Sequence, residues 1–215
     1  MAMMEEMEPT DRWMTMIHGY VFLNYNRQAG SSGDISFESQ NPLMVMWARR
    51  WGGGKLSLRG TFTAEPATIP QEGSPELFQR GETYKDVLLV DRQHPHDLFV
   101  QLAAQWERRL SDHAAFQVYL SPWGEPAVGP SPYTHRLSSS ENPLAPLAHH
   151  NQDTTHITAN VVSAGLRTGP VLFEASASHG PEPDEIRWDI DGGPIDSYSG
   201  RVTYRPRPGL SMQVS

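Results

Sequence analysis

Alternation of apolar and polar residues with a period of two runs through most of the chain. Between residues 56 and 63, Leu56, Leu58 and Phe62 alternate with Ser57, Arg59, Thr61 and Thr63. Between 98 and 106, Leu98, Val100, Leu102, Ala104 and Trp106 share one face, and Phe99, Gln101, Ala103 and Gln105 share the other. Tyr198, Gly200, Val202 and Tyr204 alternate with Ser199, Arg201 and Thr203, and Leu210, Met212 and Val214 with Ser211, Gln213 and Ser215. This is the pattern of strands with one apolar and one polar face. Shorter versions occupy 116–120, 157–161 and 171–178. Residues 14–25 and 43–50 are apolar enough for strands, with mixed alternation. A helical period fits none of these as well, and the total comes to about nine strands.

The connections sharpen this reading. Trp51-Gly52-Gly53-Gly54 is a tight turn, and residues 110–113, 167–170 and 205–209 are equally short. Long polar connections at 64–97, 121–155 and 179–197 lie between them. Short and long connections therefore alternate, as in outer-membrane barrels with short periplasmic turns and long extracellular loops. Trp47, Trp51, Trp106, Trp123 and Tyr204 fall near strand ends, where aromatic girdles form. The expected fold is an all-β, antiparallel, up-and-down transmembrane β-barrel spanning residues 13–215. A closed sheet leaves no edge, and the last strand stops in mid-pattern. The chain is thus expected to be an incomplete fragment that makes an open, curved sheet. Residues 1–12 read as a disordered Met-rich tail.

Composition agrees. Hydrophobic residues make up 38% of the 215, thin for a large packed core but adequate where only one strand face must be apolar. The 18 glycines and 18 prolines supply turn residues. A net charge of −8 argues against a nucleic-acid partner; the barrel reading makes outer-membrane lipid the expected one. Without cysteine there is no disulfide and no thiolate metal site. No apolar run approaches the ~20 residues of a transmembrane helix. The acidic N-terminus carries no export signal, which a barrel requires, so the leader is expected to be missing or the chain to be a piece.

Candidate chemistry gathers in two of the long connections. His94, His96 and Asp97, with Asp91 nearby, stand just before a strand, and Pro95 holds His94 extended. His149, His150, Asp153 and His156 end the second long connection. Connections of one parity share one rim, so these imidazoles and carboxylates could meet there and bind Cu or Zn. The plainer reading is a hydrogen-bonded loop network at the barrel mouth. His156 and Thr158 share a strand face, a spacing that resembles the His and Ser of outer-membrane phospholipases, although threonine is the poorer nucleophile. The polar strand faces would line the interior with Arg59, Gln101, Gln105, Glu107, Glu174 and Arg201. Asp184, Asp189 and Asp191 match no calcium-loop spacing and read as an acidic, solvated loop. Met1, Met3, Met4, Met7, Met14 and Met16 offer thioethers for Cu(I), but incidental methionines in a tail are the simpler account.

Several stretches occur together in wording that is specific. They are Val90-Asp91-Arg92-Gln93-His94-Pro95-His96-Asp97, Gly124-Glu125-Pro126-Ala127, residues 142–150, Asp153-Thr154-Thr155-His156-Ile157, Gly180-Pro181-Glu182-Pro183-Asp184-Glu185 and Arg187-Trp188-Asp189. In these the chain resembles, from about Trp13 onward, a family of uncharacterised bacterial outer-membrane barrel proteins. The resemblance implies a longer C-terminal part, a Met- and His-rich N-terminal segment and a loose link to metal-resistance settings. It implies no catalytic residues. This chain departs from it in having no histidine before Trp13. The expected function is a porin-like or structural outer-membrane barrel that is not an enzyme. A metal-handling barrel with a His/Asp rim site and an outer-membrane lipid hydrolase using His156 and Thr158 are the alternatives.

Overall fold

The computed structural model describes residues 9–130, 142, 157–181 and 183–215, with the backbone alone at 81 and 82. In chain order the strands are β1 (Met14–Gly19), β2 (Phe22–Arg27), β3 (Ile35–Gln40), β4 (Leu43–Trp51) and β5 (Gly54–Phe62). The one-turn helix α1 (Glu65–Thr68) follows, then β6 (Ser74–Tyr84), β7 (Val87–Gln93), β8 (Phe99–Ser111) and β9 (Ala114–Gly124). Last come β10 (Thr158–Thr168), β11 (Val171–Ser178), β12 (Ser197–Arg207) and β13 (Leu210–Val214). The fold is all-β and its sheets are antiparallel. One sheet has nine strands, in the order β1-β4-β5-β8-β9-β10-β11-β12-β13, and β2–β3 and β6–β7 are separate pairs. Each of the nine falls in one of the nine expected segments, but the segment at 14–25 divides at residues 20 and 21 into β1, inside this sheet, and β2, outside it. No closed barrel forms among the described residues, because β1 and β13 stand at the two ends of the strand order.

Short turns lie at one end of the sheet. Trp51 pairs directly with Gly54, leaving Gly52 and Gly53 to turn the chain at φ 61° and 73°. Two successive left-handed residues match the twist of the flanking strands, and only glycine takes that conformation without a Cβ penalty. The long connections lie at the other end and carry structure that alternation does not announce. The connection expected as a polar loop at 64–97 contains α1 and the β6–β7 pair. That pair shifts register between Pro75 and Arg80 and again before Thr83, which blurs its period of two.

Register sorts the side chains of the sheet onto two faces. On one, Arg59 lies opposite Ala103, Gln105 opposite Tyr119, Tyr119 opposite Ser163, Ser163 opposite Ser176 and Glu174 opposite Arg201. On the other, Trp106 lies opposite Val118, Leu166 opposite Phe173 and Phe173 opposite Val202. The polar face is the covered one: Ser57, Thr61, Gln101, Ser121, Ser176 and Thr203 are buried. The apolar face is open: Trp47, Leu120, Val162, Leu166, Phe173, Val202 and Met212 are 39–54% exposed. Among the described residues 21 buried ones are polar or charged and 11 are hydrophobic, the reverse of a water-soluble core.

Among the described residues two small apolar clusters form on the covered side. Met44 and Met46 pack with Met16 at the β1–β4 end. Trp123 packs with Ile157, Ala159, Phe99 and Val100. This corrects the expectation for Trp123, which is 1% exposed and belongs to no girdle. It has the parity of Gln117, Tyr119 and Ser121 along β9, so it faces inward with them. Residues 9–12 of the expected tail lie against the end of β4, where the Arg50 amide donates to the Thr10 carbonyl at 2.7 Å.

Candidate functional site

The rim at the long-connection end is knitted by buried charged and polar side chains. Past β7 the chain runs through Pro95, and the His96 amide donates to Glu65 Oε2 at 3.0 Å. The same oxygen lies 2.7 Å from His96 Nδ1. Glu65, the first residue of α1, is fully buried and His96 is 2% exposed. Two contacts to one carboxylate oxygen fix both the ring and the backbone of His96. Asp97 is held by a different partner: Arg187, from the third long connection, donates to its Oδ1 at 3.1 Å. The Leu98 amide donates to the Arg187 carbonyl at 2.8 Å, so this arginine grips the start of β8 twice. Burial pushes the Asp97 carboxyl up to about 6, because it outweighs the attraction of Arg187 and His96, and Asp191 adds to the rise.

Polar contacts extend the rim to the β2–β3 pair. Asn26 donates to Ser74 Oγ at 3.1 Å and to the Pro75 carbonyl at 2.8 Å, and Ser74 donates to Glu38 at 2.8 Å. Arg92 pairs with Asp34. Burial and the nearby Glu38 raise the Glu76 carboxyl above its ordinary range. Asp91 turns away from the histidines, its Oδ1 accepting the Phe78 amide at 2.7 Å.

Of the residues expected to ligate metal, His94, His96 and Asp97 are described; His149, His150, Asp153 and His156 lie outside the described residues. His94 is half-buried, and His96 and Asp97 are engaged by Glu65 and Arg187 respectively. Among the described residues the one group of three or more candidate ligands with atoms within 4.8 Å of one another is Asp184, Asp189 and Asp191. That group is part of a turn, with the Asp184 amide donating to Asp191 at 2.9 Å and the Ile186 amide to Asp184 at 2.6 Å. Thr158, the proposed hydrolytic nucleophile, is buried in β10 opposite Gly124.

A second polar constellation lines the covered face of the sheet. Arg201 grips Glu174 with two donors, at 2.8 and 3.1 Å, and also donates to the Gly129 carbonyl at 3.2 Å. Gln117 donates to Glu174 at 3.3 Å, Gln101 to Tyr119 at 3.1 Å and to Glu125 at 3.2 Å, and Arg59 to Gln101 at 3.3 Å. Residues 125–130 fold back over this face: the Ala127 amide donates to Ser176 at 2.7 Å and the Gly129 amide to Ser215 at 3.0 Å. The space left between them is about 50 Å³, room for one or two waters. Arg59, Gln101, Gln105, Glu174 and Arg201 are here as alternation requires, and Glu107 lies further along, opposite Lys55 and Gln117. Gln117 and Tyr119 were legible from the parity of Phe116, Val118 and Leu120. Glu65, Arg187 and the return of 125–130 carry no local signal.

No protein-family model matches the chain, and neither a curated protein nor a solved structure is significantly similar to it. Its function is therefore read from the geometry.

Proposed function

We propose that this chain forms the wall of a bacterial outer-membrane β-barrel whose interior is filled by polar side chains and by residues 125–130. One observation carries the reading: the nine-stranded sheet turns its apolar face outward, exposed, and its polar face inward, covered. A contiguous apolar surface of this size in water would drive association, whereas in hydrocarbon it is the ordinary outside of a barrel. The dimensions suit a bilayer. β8, thirteen residues from Phe99 to Ser111, is roughly 41 Å of strand at ~3.4 Å per residue, or roughly 31 Å of height at a ~40° tilt, enough to cross the ~25 Å apolar band of such barrels with the exposed Arg108 on its outward side toward the short turns. Strand edges are not tolerated in hydrocarbon, so the reading requires β1 and β13 to be paired there, by further strands or a second chain.

Between a porin-like pore and a structural barrel, the fold-back of 125–130 and the Arg201–Glu174 pair favour the latter. Brominated lipid tests the membrane reading. In single-tryptophan variants folded into vesicles, Trp47 and Trp106 are expected to be quenched and the inward Trp123 spared. Equal quenching of all three, or of none, overturns it. Planar-bilayer recordings separate the two forms of the proposal: a filled barrel passes no steady current, and a stable open conductance assigns it to the porins.

A further inference from the structure

The strands at the β1 end are two halves of one ribbon. Gly19 pairs with Leu43 and Phe22 with Gln40, a single register on both sides of a break at residues 20, 21, 41 and 42. The Tyr20 amide still donates to the Pro42 carbonyl at 3.2 Å within that break. Parity therefore carries from β1 into β2 and from β4 back into β3. Past the nine-stranded sheet the outward face carries Leu23, Tyr25, Ile35 and Phe37, which are 73%, 65%, 55% and 74% exposed, and is interrupted next to the break by Ser39, opposite Leu23, which is buried and whose carbonyl accepts from Thr68 of α1 at 2.7 Å. The opposite face of the same half is buried and polar: Asn26, Ser36 and Glu38 lie beneath Ser74 and Pro75. A ribbon standing in water would turn these faces the other way round.

Length makes the point quantitative. From Trp51 to Ile35 the leg covers roughly 54 Å at ~3.4 Å per residue, roughly 40 Å of height at a ~40° tilt, against an apolar band of ~25 Å. The apolar face thus overruns the hydrocarbon at the long-connection rim. We propose that the outward face of β2–β3 is itself covered by membrane lipid, the ribbon bending at the break to lie along the boundary between acyl chains and headgroups. Lipid is the occupant because this face keeps the register and, Ser39 apart, the polarity of the face of β1 and β4 that meets lipid; the inference rests on that reading of the sheet. Tyr25 stands directly opposite Phe37, an aromatic pair of the kind membrane interfaces favour. The one charged side chain on this face, Arg27 near the tip, suits the phosphate of a headgroup.

The chain has no cysteine, so single sites can be spin-labelled without background. The sites are Leu23→Cys and Phe37→Cys on the ribbon, Val45→Cys on the sheet, and Glu72→Cys as an exposed reference. All are measured in the whole chain folded into phosphatidylcholine–phosphatidylglycerol vesicles. The expected result is that labels at 23, 37 and 45 all lose collisions with a water-soluble paramagnetic reagent and keep those with oxygen, while the label at 72 does the opposite. Lipid-like behaviour at 45 with water-like behaviour at 23 and 37 overturns the inference and leaves the sheet reading standing. Water-like behaviour at 45 overturns both. Exclusion of both reagents at 23 and 37 shows protein covering the face, a second copy if spin–spin broadening accompanies it, and overturns the inference as well.

Discussion

The nine-stranded sheet and the rim of inserted segments follow one polarity rule but are held together in different ways. In the sheet most neighbours are close in sequence, joined by turns as short as Gly52-Gly53, and each hairpin sets its own register. In the rim the decisive contacts are distant: Glu65 and His96 are 31 residues apart, Asp97 and Arg187 are 90 apart. The sheet can lose one side chain and keep its pairing. The rim depends on a few buried charges, each with a cost if its partner is removed. The lesson is that stability in the sheet is distributed, whereas in the rim it is concentrated in named pairs.

The largest effect expected from a single change is in the rim. Arg187→Ala strands the buried Asp97 carboxylate and frees the third connection from β8, at a cost of about 3–5 kcal/mol. Amide exchange at Leu98, whose donor meets the Arg187 carbonyl, should become fast while exchange in β10–β11 stays slow. Equal acceleration in both regions would mean the two are one cooperative unit.

Next comes the outer face of the sheet. Val162 sits near the middle of β10 with its side chain 46% exposed. A lysine there costs about 2–4 kcal/mol if lipid covers it, and less than about 0.5 kcal/mol if water does. Folding stability of Val162→Lys measured in vesicles decides between the two.

A pH response is expected in the rim. The Asp97 carboxyl is raised to about 6 in the folded chain. Between roughly pH 4 and 6 the folded state therefore holds more protons than the unfolded one, and stability falls as pH rises through that window, by about 3 kcal/mol at most. Asp97→Asn should flatten this slope at Leu98. A slope that survives the substitution would assign the titration to another group, with Glu76 the next to test.

The smallest effect is in a turn. Gly53→Val, at φ 73°, should cost about 1–2 kcal/mol through backbone strain alone, read as a lower unfolding midpoint with no change in the slope against denaturant.

Much of the sheet was legible from alternation because a strand with one face in polar surroundings and one in apolar ones must repeat every two residues. Leu56–Leu58 and Tyr198–Tyr204 show this directly, and the inward positions Arg59, Gln101, Glu174 and Arg201 follow by parity. Trp123 was misplaced by attending to its nearness to a strand end and not to its parity with Gln117 and Tyr119. The β6–β7 pair and β3 were missed. Bulges break the period in the first, and in the second a mostly polar buried face, with Ser36, Glu38 and Gln40, resembles a loop. The histidines of the rim were noticed as chemistry, but their surroundings were not. Nothing near His96 points to Glu65, and nothing near Asp97 points to Arg187.

By itself, then, the sequence determined which residues share a strand face, where the chain turns, and that one face is mostly apolar, since these depend only on neighbours within a few residues. The tertiary structure alone decided what covers the polar face and which buried charge meets which partner. It also showed that the first ribbon keeps its polarity beyond the sheet. Those outcomes depend on contacts between segments tens of residues apart, whose energies no local pattern records.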